Sequence, residues 1–266
     1  MNVFLRELAA YRKSMIIWAL SMSVLVIIYM ALYPAFTSDV AAAKHLLSSL
    51  PEAVRVALNI SLGNFFTLDG FYGYILGFAT LAAAIQAMNM GTGVISKETS
   101  GKTADFLLSK PITRSRVVSA KLAAALTVIV VTDAVFAAVA FVAALMVSKD
   151  PVDARMFFLL TSTLLLVQLM FIALGALFAV TIPKIKSVIS VSLPTVFAFY
   201  IVGTIGDLVG NKSVRYISPF RFYDPNYIIS HGSLEGRYVA VEAVFVVVAI
   251  AVSYMIYLKK NFRASA

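Results

Sequence analysis

The sequence predicts an all-α membrane protein with six transmembrane helices and both termini in the cytoplasm. Three observations lead there. First, mean hydropathy is +0.92, with 61% of residues apolar and only 13% charged. Soluble domains are about half apolar and about a quarter charged, so a soluble core cannot absorb this excess. Second, the apolar residues fall in runs of about 20, enough for a helix to cross a hydrocarbon layer roughly 30 Å thick. They lack the two-residue alternation of an outer-membrane barrel. Third, with the N-terminus inside, 14 of the 22 Lys and Arg fall on the cytoplasmic side and 8 on the outer side. Basic residues near span ends hold a segment in the cytoplasm. Residues 1–266 read as one transmembrane domain.

The chain opens with a short amphipathic stretch, 1–13, in which Phe4, Leu5 and Leu8 alternate with Arg6, Arg12 and Lys13. It is expected to lie at the membrane surface. The first span follows at 14–36, too long an apolar run for a signal peptide. A long outer connection, 37–69, holds two short amphipathic segments, with Pro51 suited to a first helical position. The second span covers 70–90. Its Gly73 and Gly77 stand four apart, the spacing that lets membrane helices approach closely, so they are candidates for packing or for the pathway. Gln86 and Asn89 lie near its end, where they are expected to meet water. The remaining spans are 122–147, 156–180, 188–209, with Pro194 expected to kink it, and 238–258.

Candidate chemistry is sparse. With no cysteine, there is no disulfide framework and no thiolate-bound metal. His231 and Glu235 stand four apart, but two residues in a loop make a weak metal site, and none is assigned. Gly101-Lys102-Thr103 looks like the end of a phosphate-binding loop, but Ser96 occupies the position of the required earlier glycine. The net charge of +9 is explained by basic flanking loops rather than by a nucleic-acid partner. No catalytic residue emerges, and the chain is not expected to be an enzyme. Asp133 is the one acid deep in a span. A carboxylate at mid-bilayer costs about 2.5–3.5 kcal/mol on insertion scales. It therefore either lines a pathway or bonds to a neighbouring helix, for instance at Gln168.

The richest stretch is 95–121. It holds six basic residues and an apolar cluster, Phe106-Leu107-Leu108. Residues 103–109 can form about two helical turns, which Pro111 ends by restricting Lys110. Thr113 can cap the helix that leads into the third span. A short apolar face among charges fits a socket on a partner, or rests on lipid headgroups.

Here the residues resemble a known family. Lys97-Glu98, Gly101-Lys102-Thr103, Phe106-Leu107-Leu108-Ser109, Pro111, Arg114 and Lys121 are similar to the first cytoplasmic loop of ABC type-2 permeases, with Gly-Lys-Thr in place of the usual Gly-Thr. Six spans in this order, and Ser218-Pro219-Phe220 before the last, fit the same family. The resemblance implies a subunit of the prokaryotic plasma membrane that binds no cofactor itself. It would pair with a second permease, identical or related, and with cytoplasmic ABC ATPase subunits that bind ATP and Mg. The loop helix would then be the coupling helix, with Glu98, Phe106, Leu107, Leu108 and Pro111 touching the ATPase. Export is the implied direction, with spans two and five at the dimer interface or pathway. A secondary transporter driven by an ion gradient, or a membrane scaffold recruiting a partner, are the alternatives.

Overall fold

The computed structural model describes residues 3–58, 60–100 and 113–259. Among the described residues there is no strand, and six helices are long and apolar enough to cross a membrane. These are α1 (Val3–Ser38), α4 (Leu68–Ser100), α5 (Arg114–Val147), α6 (Ala154–Thr181), α7 (Ile189–Val209) and α9 (Gly236–Lys259). Among the described residues, three short helices sit in the connections: α2 (Val40–Ser49), α3 (Glu52–Ala57) and α8 (Pro225–His231).

Several boundaries differ from the sequence reading. The stretch expected to lie at the surface runs into the first span as one helix, because no proline or glycine interrupts 3–33. Its Tyr11 is buried and joins Val94, Val118 and Tyr257 in a second apolar cluster. Pro51 is the N-cap of α3 rather than its first helical residue. The connection after the fifth span is ordered. It makes two 3-10 turns, Lys212–Tyr216 and Pro219–Arg221, and then α8. Asp224 caps α8 by accepting from the backbone N–H of Asn226, and Pro225 occupies the first turn, where its missing N–H costs nothing.

α4 and α6 form the interior of the bundle. They run side by side at close range because each offers a glycine to the other. A Cβ on Gly91 would collide with the Ile172 carbonyl, and one on Gly175 would stand 2.8 Å from both the Met88 carbonyl oxygen and the Thr92 nitrogen. Without a hydrophobic driving force inside lipid, such backbone-to-backbone packing holds membrane helices together. Ala79, Ala83, Ala84, Ala87, Ala173 and Ala176 are fully buried and extend the close contact. α7 is peripheral and leaves Ile189, Leu193, Phe197, Ile201 and Ile205 exposed along one stripe. α9 likewise exposes Val244, Val247, Val248 and Met255.

Two ends of the bundle follow from the contacts. At the near end, Glu7 of α1 approaches Lys121 of α5, and Tyr254 of α9 bonds to Ser115 of α5. The described chain therefore begins and ends on the same side. At the far end, Asn64 donates to Asn226 over 3.3 Å, closing the connection before α4 onto α8. Phe36, Phe65 and Phe71 pack edge-on and tilted beside it, with ring centroids 5.3–5.8 Å apart.

Candidate functional site

The predicted coupling segment begins in α4 and ends at α5. The helix of the second span continues to Ser100, so Glu98 lies in its final turn. Phe106, Leu107, Leu108 and Pro111 lie outside the described residues. Thr113 stands at the N-cap of α5 but makes no side-chain capping bond; its hydroxyl accepts from Ser115 instead.

The base of that segment is well built. Lys121 is only 3% exposed, and its ammonium donates to the Val94 carbonyl oxygen at 3.0 Å. Glu7 Oε1 stands 3.4 Å from the same nitrogen. A buried lysine needs both an acceptor and a counter-charge. The carbonyl of α4 and the carboxylate of α1 supply them, so one side chain joins α1, α4 and α5 where the segment leaves the bundle. Tyr254 adds α9 by donating to the Ser115 carbonyl at 3.1 Å and contacting the Ser119 hydroxyl at 3.2 Å.

Deeper in the bundle, Asp133 is 9% exposed and faces α6. With the Gln168 amide nitrogen turned towards the carboxylate, it donates to Oδ2 at 2.6 Å and to Oδ1 at 3.2 Å. Gln86 departs from expectation. It is 1% exposed and donates to Thr132 Oγ1 at 3.1 Å rather than meeting water. Helix α4 passes through the middle of the bundle, so residues near its end are still enclosed. The amide oxygens of Gln86 and Asn89 are buried without a hydrogen-bond partner among the described residues.

Gly73 and Gly77 lie on the far half of α4 and play different parts. A Cβ on Gly73 would stand 2.7 Å from Pro225 Cβ, so this glycine admits α8 against the helix. A Cβ on Gly77 would meet nothing within 4 Å. Gly77 opens onto a narrow slot of about 60 Å³ between α4, α6 and α7, walled by Tyr74, Phe78, Tyr200 and Phe220.

Above the slot, ion pairs set the far-end connection. Arg221 pairs with Asp207 at 2.8 Å and donates to Thr204. Arg215 pairs with Glu235 at 2.7 Å, and Arg237 pairs with the same carboxylate. Both guanidinium groups lie over the Tyr238 ring, 4.5 and 4.8 Å from its centroid. Burial works against the Glu235 charge, but its bonds to Arg215 and Arg237 outweigh it and hold the carboxyl below its usual range. Tyr223 donates to Glu242 of α9; burial first, and the carboxylate second, push the phenol upward. His231 does not join Glu235. Its Nδ1 lies 2.8 Å from the Ser230 hydroxyl, and its ring stacks on Tyr227. No metal-binding group of three or more ligands occurs among the described residues. The pairs Arg215–Glu235, Arg221–Asp207 and Tyr223–Glu242 were not legible in the sequence, because each joins residues 14 to 20 apart whose proximity the two 3-10 turns create.

A bundle with six helices long and apolar enough to cross a membrane defines a multi-pass membrane protein. The family model described as ABC-2 family transporter protein matches residues 1–262, and the chain belongs to that family. No curated protein matches the sequence.

Proposed function

We infer that the chain is the membrane-spanning subunit of an ATP-driven exporter, with ATP and Mg bound and hydrolysed on a separate cytoplasmic ABC ATPase. Family membership across nearly the whole chain carries this reading. On it, the near end faces the cytoplasm, where the basic residues concentrate. Residues 103–109 would then form the coupling helix, with Glu98, Phe106, Leu107, Leu108 and Pro111 set against a groove of the ATPase.

The Lys121 clamp supports the mechanical part. Load on the intervening segment reaches α4 and α5 along the chain and across the Lys121–Val94 bond, and reaches α1 through Glu7. Three helices would therefore tilt together when the ATPases close. The exposed apolar stripe of α7 would pack on a second permease, identical or related, with lipid covering the remainder. A gradient-driven transporter would place its intramembrane charge on an open path; Asp133 is instead covered and bonded to Gln168.

The test is co-expression with an ABC ATPase, sought first in the neighbouring reading frame. Phe106→Asp combined with Leu107→Asp is expected to abolish co-purification while the permease still inserts. Unchanged association sinks the docking claim. Inverted vesicles of the pair should take up cargo only with ATP, and uptake in the opposite orientation would reverse the assigned direction.

A further inference from the structure

No residue of α2 is fully buried in the bundle, although its sequence is clearly patterned. On the helical period Ala42, Ala43, Leu46 and Leu47 share one face, and Lys44, His45 and Ser48 share the other. Part of the apolar face is used, because Leu47 packs against the core cluster that includes Phe65 and Phe71. The rest is bare. Leu46 is 68% exposed, and Ala42 beside it is exposed as well.

The bare part lines a groove of about 260 Å³ between α1 and α2, whose other wall is Ala35 and Phe36 of α1. Leu46 and Leu47 therefore stand alongside the last turns of α1, and α2 folds back against the end of the first span instead of projecting beyond it. Asp39 is the charged residue of the lining, and its carboxylate is occupied, accepting from the Ala42 backbone N–H at 2.9 Å. The groove also continues a larger surface. Ile17, Leu20, Val24, Ile28 and Leu32 stand 46–63% exposed along one side of α1, and Ala35 follows in line with Ile17 on the helical period. An apolar row of this length on a spanning helix meets the hydrocarbon of the bilayer. A protein partner's footprint is ringed by polar residues, whereas this row runs from Ile17 into the groove with no charged side chain before the capping Asp39.

We propose that α2 lies in the bilayer interface at the far end of the bundle, with the groove between Ala35 and Leu46 filled by lipid acyl chain. Lys44 and His45 then stand among the headgroups, since a basic face opposite an apolar one is the pattern of helices held at a membrane surface. The helix fixes the depth of the connection 37–69 in that leaflet. This rests on the membrane setting alone and needs neither an ATPase nor a direction of transport.

The chain has no cysteine, so a single nitroxide can report each site. Leu46→Cys, Ala42→Cys, Ser48→Cys and Leu32→Cys are labelled in the full chain in phosphatidylcholine nanodiscs. Power saturation is compared with oxygen, which concentrates in hydrocarbon, and with a water-soluble nickel chelate. Leu32, on the α1 row, sets the lipid value, and Ser48, on the polar face of α2, sets the value for the wet side. Labels at Leu46 and Ala42 should shift from the Ser48 value towards oxygen, to the side of Leu32. A Leu46 label that the nickel chelate reaches as readily as the Ser48 label means that the groove opens to water, and overturns the proposal. Exclusion of both relaxants, with spin–spin broadening between chains, gives the groove to a second copy and overturns it too. All four sites are exposed, so labelling should leave the melting temperature unchanged; if Leu46→Cys melts lower, Ala42→Cys decides.

Discussion

Lys121 donates to the carbonyl oxygen of Val94 across 3.0 Å, and these two residues stand on either side of the segment 95–120. A buried ammonium thereby closes the root of a long basic segment onto the helix that enters it. The carbonyl sits near the end of the spanning part of α4, and Glu7 balances the charge.

Replacing Lys121 with Met removes this closure and leaves Glu7 facing an apolar wall. A hydrogen bond to a charged group contributes about 1.5–3 kcal/mol, so a loss of that order is expected. Thermal unfolding of the purified chain checks it. Lys121→Arg should recover part of the loss, because the charge returns in a bulkier form.

Asp133→Asn should leave the melting temperature nearly unchanged, because its amide oxygen still accepts from Gln168. Asp133→Leu should cost about 1–3 kcal/mol by leaving the Gln168 amide buried and unpaired. With the ATPase present, normal transport by a well-folded Asn variant would show that the charge itself is not required.

The glycines of α4 and α6 should separate cleanly under substitution. Gly91→Val and Gly175→Val each drive a side chain into the facing backbone, where overpacking costs typically about 1–3 kcal/mol or more. Gly77→Ala faces open space and should be neutral or slightly stabilising, since alanine favours a helix interior. Unfolding curves for the three in one detergent make the comparison. A Gly77→Ala loss matching that of Gly91→Val would contradict the assigned packing.

Acid should loosen the far-end connection before the helices. Glu235 is held below its ordinary 4.5 by its arginine partners, against the opposing effect of burial. A carboxyl depressed in the folded state stabilises it above the unfolded value, and that contribution is lost as pH falls through the folded one. Amide exchange over 212–235 should therefore rise below about pH 4, after correction for intrinsic rates, and Glu235→Gln should remove the extra pH dependence.

Much of the architecture was legible because lipid imposes a simple rule. Every backbone polar group in the hydrocarbon must be satisfied within its own helix, so each spanning helix advertises itself as a long apolar run. That sufficed for the six spans, while the two short helices between the first pair were read from amphipathic patterning and the family from the motif over 97–121. Residues 103–109 were read from the same sequence, but the described structure does not include them. Polarity was a poorer guide near span ends. Gln86 was read as wet, yet it is enclosed because α4 is surrounded by other helices at that depth.

By itself, then, the sequence determined the number of spans, their order, the membrane setting and the resemblance to ABC-2 permeases, all of which depend on local hydropathy and short motifs. Tertiary structure alone decided which glycines carry packing. Gly91 and Gly175 seal α4 against α6, Gly73 admits Pro225, and Gly77 stands open, though all four are the same residue in apolar helices. It also decided that Lys121 is buried rather than solvated, and that Arg215 and Arg221 meet Glu235 and Asp207 above an aromatic slot. The physical reason is that the function of a small or charged residue depends on what faces it across the bundle. That neighbour comes from a distant part of the chain, which local periodicity does not encode.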